Sequence, residues 1–144
     1  MVSCPLARLP IVMREKLSHV VLHSGNETAF AEDKGNFFVL YSENMEIRAA
    51  NKDLDETVFH ESVHATLDYR YLRSKEWRAA QANDNAFITK YAMSNPGKED
   101  MAESALFVYA LLKYPGRLPV GIETWLRTNL PNRIEFFGEI FNVD

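Results

Sequence analysis

Residues 60–64 read His60-Glu61-Ser62-Val63-His64. Two histidines four residues apart on a helix project their imidazoles from one face, so both can bind a single metal ion. Glu61 stands beside them, placed to take a proton from a water activated by that metal. This is chemistry for hydrolysis. It requires a helix under the motif, a third ligand and a donor for the charge that develops on the substrate.

Zinc in a catalytic site takes three protein ligands and keeps one position for water. The extended pattern His-Glu-x-x-His-x-x-Gly-x-x-His would put glycine at 67 and histidine at 70. The chain has Leu67 and Arg70, which excludes that class. His19 and His23 share a face of an expected strand, and the plainer reading places them on a sheet surface rather than on the metal. Glu99 is the better third ligand. It shares a helix face with Glu103, and that pair can do two jobs: one carboxylate binds zinc while the other accepts the remaining ring N–H of a ligating histidine. The alternative is a solvated acidic first turn, which the helix dipole favours. Glu103 argues against it, because it enters the apolar run Ala105-Leu106-Phe107-Val108, where an unpaired carboxylate is costly. Asp68, one turn past His64, is a further acceptor or ligand and ranks below Glu99.

The elements that must position these groups follow from periodicity and turn signals. A short helix is expected over 10–18, opened by Pro10. A buried strand follows over 19–23, a second over 28–32, and the strongest over 37–42, with 45–49 continuing extended. The motif falls inside a helix from Leu54 to Leu72, with Asp53 as N-cap and Glu56 as its box partner. Further helices are expected over 74–91, 98–113, 120–130 and 132–141. Trp77, Phe87, Trp125, Phe136 and Phe137 read as core, and Asp84 as a solvated position. The whole is one domain over 1–144, α+β and mostly helical, with an upper part over about 1–70 and a lower helical part over about 71–144. The 37–42 strand is a candidate edge for pairing with an extended substrate.

Three segments carry a resemblance: His60-Glu61-Ser62-Val63-His64, then Tyr91-Ala92-Met93-Ser94-Asn95-Pro96, then Glu99-Asp100-Met101-Ala102-Glu103. Together they resemble the gluzincin metallopeptidases, in particular the catalytic domain of anthrax lethal factor and the clostridial proline-proline endopeptidases. The likeness covers about residues 53–110, and the spacer between Tyr91 and Glu99 is one residue longer than the family's. It implies a zincin-like fold, with a small N-terminal twisted sheet packed on the active-site helix and a helical C-terminal subdomain. It also implies one Zn2+ per chain on His60, His64 and Glu99, with Glu103 orienting a ligand and Tyr91 stabilising the oxyanion. Read without the family, Tyr91 is a core aromatic at a helix end.

The expected activity is zinc-dependent hydrolysis of peptide bonds, with Glu61 as general base. The alternatives are a zinc-stabilised peptidase-like domain that binds a partner without proteolysis, and a zinc amidohydrolase acting on a non-protein amide. Peptide deformylase uses the same helical motif, but its cysteine-containing ligand segment is absent, since Ser3-Cys4-Pro5 does not match it. Composition agrees with a peptide or protein as partner. The chain of 144 residues is 47% hydrophobic, which suffices for a core without disulfides, and it has one cysteine. A net charge of −4 with no basic block argues against nucleic acid. No apolar run approaches the ~20 residues that span a bilayer. Residues 1–17 carry Arg8, Arg14, Glu15 and Lys16, so no signal-peptide core is expected in this chain. A cytoplasmic protein fits, as does a secreted one whose signal lies outside the chain.

Overall fold

The run Phe37-Phe-Val-Leu-Tyr41, aromatic and β-branched, forms the middle strand of a three-stranded sheet. The computed structural model describes residues 2–142. Two compact units divide between Tyr69 and Arg70.

The first unit runs α1 (Ser3–Ala7), α2 (Ile11–Lys16), β1 (His19–His23), β2 (Phe30–Glu32), β3 (Phe37–Tyr41), α3 (Ser42–Asn51) and α4 (Leu54–Thr66). The sheet order is β1-β3-β2. β1 lies parallel to β3 with His19 opposite Phe37, and β2 lies antiparallel to it with Phe30 opposite Val39. This corrects the expectation of a substrate-pairing edge at 37–42: β3 is flanked on both sides, and the open edges belong to β1 and β2. β1 is also less buried than expected, with His19, Leu22 and His23 exposed. Phe38, Val39 and Leu40 supply the sheet's share of the core.

α4 is the hub of this unit and packs against α1, α2, α3, β2 and β3. Val58, Phe59, Ser62, Val63 and Thr66 are buried on it. The hydroxyls of Ser62 and Thr66 donate to the carbonyls of Val58 and Ser62, both at 2.6 Å, which lets two polar residues sit in the interior at little cost. The helix is shorter than expected. It ends at Thr66, and Leu67 (φ −110°, ψ −33°) caps it before α5 (Asp68–Tyr71) begins. Asp53 holds the N-cap position but makes no capping bond; its Oδ2 accepts from Arg48 Nη1 at 2.8 Å. Residues 42–51 form a helix, not an extended run. Glu43, Met45, Glu46, Arg48, Ala49 and Ala50 are strong helix formers, and Lys52 closes the helix in the left-handed region (φ 65°).

The second unit continues with α6 (Lys75–Asn83), α7 (Lys90–Ser94), α8 (Asp100–Lys113), α9 (Val120–Asn129) and α10 (Pro131–Phe141). α10 is its hub, packed on α6, α8 and α9. Trp77, Phe136, Phe137 and Phe141 form a chain of ring contacts with centroids 5.2–5.5 Å apart. Trp125 is 36% exposed and lies outside this core. The helix expected over 74–91 is two helices. It breaks at Asn83-Asp84-Asn85, residues whose side chains compete for backbone hydrogen bonds. The fold is α+β and mostly helical, with a small mixed sheet near its start. Among the described residues no helix is long and apolar enough to cross a membrane.

Candidate metal centre

α4 carries the motif as its spacing requires. His60 and His64 lie on one face, and their Nε2 atoms are 3.1 Å apart. For metal–nitrogen bonds of ~2.05 Å, that separation corresponds to an angle of roughly 100° at the metal, close to tetrahedral. Both rings are half-buried, as is Glu61 between them in sequence. His64 Nδ1 lies 2.6 Å from Asp68 Oδ2. A carboxylate there keeps the Nδ1 proton on the ring and directs Nε2 outward as a ligand. The break at Leu67 puts Asp68 at the head of a new short helix.

Glu99 immediately precedes α8. It occupies the N-cap position, yet its side chain does not cap the helix. Glu99 is 6% exposed and Asp100 is fully buried, so Lys98-Glu99-Asp100 is not a solvated acidic turn. Lys98 Nζ lies 4.0 Å from Glu99 Oε1, at the outer limit of an ion pair, and the lysine is mostly in solvent. The ligand atoms offered by His60, His64 and Glu99 all lie within 4.8 Å of one another. This is the one group of its kind among the described residues, and it could hold a metal ion. Two imidazoles and one carboxylate are a donor set that zinc takes in hydrolytic sites.

No family model matches the chain, and neither a curated protein nor a solved structure does. The site therefore stands on its own geometry.

His19 and His23 are absent from the cluster. They stack on Phe37 and Tyr41, cross-strand partners on the sheet, with ring centroids 4.8 and 5.7 Å apart. Glu103 Oε2 accepts a hydrogen bond from Thr89 Oγ1 at 2.9 Å. The same Thr89 oxygen accepts from Ala92 N at 3.0 Å and so caps α7, the helix that carries Tyr91. Glu103 thus anchors the start of that helix. Tyr91 is 52% exposed, which rules out the core-aromatic alternative.

The residues that sequence reasoning missed surround Asp100. Arg133 is fully buried, and its Nη1 reaches Asp84 while its Nε and Nη2 reach Asp100. Asp84 was expected in solvent, but its side chain is completely covered. One signal was available: Arg133 shares a helix face with Phe137 and Phe141, and an arginine on an apolar stripe implies buried partners.

Proposed function

We propose that the chain is a zinc-dependent peptidase of gluzincin type on a zincin-like fold, with one Zn2+ bound by His60, His64 and Glu99. The observation that carries this reading is the convergence of those three donors within 4.8 Å, beside a glutamate one position from the first histidine. Zinc in such a donor set lowers the pKa of a bound water to ~7 and polarises a carbonyl. Glu61 accepts the proton of the attacking water and then returns it to the leaving amine, so one carboxylate serves as base and acid in turn. Asp68 holds the His64 ring in one tautomer. Tyr91, exposed at the head of a short capped helix, donates a hydrogen bond to the oxyanion, a contribution of ~3 kcal/mol when well aligned. An extended substrate would add to an open strand edge, and β2 is the edge strand that packs on α4.

Glu61→Gln tests the assignment. Hydrolysis of a peptide mixture should fall to background while zinc content stays at one ion per chain. Undiminished hydrolysis by the variant would remove Glu61 from the mechanism. Zinc bound stoichiometrically by a wild-type chain that cleaves no peptide would instead indicate a binding module.

A further inference from the structure

Glu99 is one residue from a fully buried carboxylate of the second unit that accepts four hydrogen bonds. Asp100 Oδ2 accepts from Arg133 Nη2 at 2.7 Å, from Arg133 Nε at 3.2 Å and from Gln81 Nε2 at 2.8 Å, while Oδ1 accepts from Ser104 Oγ at 3.0 Å. Gln81 Nε2 also donates to the Pro96 carbonyl at 2.8 Å, in the turn that leads into Glu99. The Glu99 amide itself bonds to the Asn95 carbonyl at 2.8 Å. The backbone is therefore pinned on both sides of Glu99, by Gln81 before it and by the Arg133 fork after it.

We infer that Asp100, Arg133 and Gln81 are positioning residues that hold Glu99 as a metal ligand. Successive positions in a helical turn differ by about 100° in direction. Locking Asp100 onto the buried arginine commits Glu99 to a different side of the turn and removes the backbone freedom that ordering a ligand would otherwise lose. The inference rests on the metal-site reading proposed above. Asp84 supplies an internal control. It grips the same arginine at 2.9 Å, but its other bonds come from Asn132 N, Asn132 Nδ2 and Arg133 N in the first turn of α10, not from α8.

The test compares zinc affinity, by chelator competition, with the melting temperature of the zinc-free chain for wild type, Asp100→Asn, Asp84→Asn and Gln81→Ala. Asp100→Asn should weaken zinc by about 10–100-fold, the range typical of lost support behind a ligand. Asp84→Asn should lower the melting temperature comparably and leave zinc affinity near wild type. A purely structural cluster would give the two aspartate variants equal losses of affinity, and that result would overturn the inference. Should Asp100→Asn fail to fold, Gln81→Ala decides: weakened zinc in a chain of near-normal stability supports the inference, and wild-type affinity overturns it. Absence of zinc binding by the wild-type chain would overturn the metal reading itself, and this inference with it. Tight wild-type binding with unaltered variants would overturn this inference alone.

Discussion

His64 meets Asp68 through Nδ1 and presents Nε2 3.1 Å from that of His60, so one carboxylate fixes both the tautomer and the direction of a ligand. Asp68→Asn keeps the shape of the side chain and weakens its acceptor. It should reduce zinc affinity by about 10–100-fold with little change in the fold of α4, measured by competition with a chromogenic chelator. The sequence offers Glu103 and Asp68 alike for this kind of duty, with Asp68 ranked below Glu99 as a ligand. Spacing alone gives both carboxylates a helical neighbour four residues away. It does not say that Asp68 comes within 2.6 Å of the His64 ring.

At the scale of elements, the link from β2 to β3 supports the end of the helix that carries His60 and His64. Asn36, in the left-handed region (φ 51°), donates its side-chain amide to the Ala65 carbonyl at 2.9 Å. That satisfies one of the carbonyls left open at a helix C-terminus. Gly35 precedes it, and a Cβ there would fall 2.6 Å from the Phe37 ring. Gly35→Ala should cost about 1–3 kcal/mol, through displacement of that ring, and denaturant unfolding will report it. In the second unit, Thr89→Val removes the cap of α7 and a hydrogen-bond donor to Glu103. Loss of the cap should cost ~1 kcal/mol. If Tyr91 acts on the oxyanion, kcat should fall further than KM rises, which steady-state kinetics will separate. The helices over 98–113, 120–130 and 132–141 were legible to within a few residues, because each is long, periodic and bounded by proline or glycine. The 42–51 helix was not. Its residues are strong helix formers, but β3 runs into it without a turn residue between them.

Over the whole molecule, the proposed metal site ties stability to metal binding. A zinc ion that binds only the folded chain should raise its stability by ~2.7 kcal/mol at 100 times the dissociation constant. Chelation should lower the melting temperature correspondingly, by calorimetry with and without EDTA. Arg133→Met leaves two covered carboxylates without their shared cation, and should cost about 3–5 kcal/mol of folding stability. What the sequence by itself determined was local: the helix under His60, Glu61 and His64, the three strands, the bounds of the last three helices and the mostly helical α+β class. These depend on periodicity, capping and turn chemistry within a few residues. Only the tertiary structure decided that β3 is central, that Glu99 is covered rather than solvated, and that Arg133 joins residues 33 and 49 positions away. Burial and pairing are relations between distant parts of a chain, and no local pattern encodes which side chains will be brought together out of water.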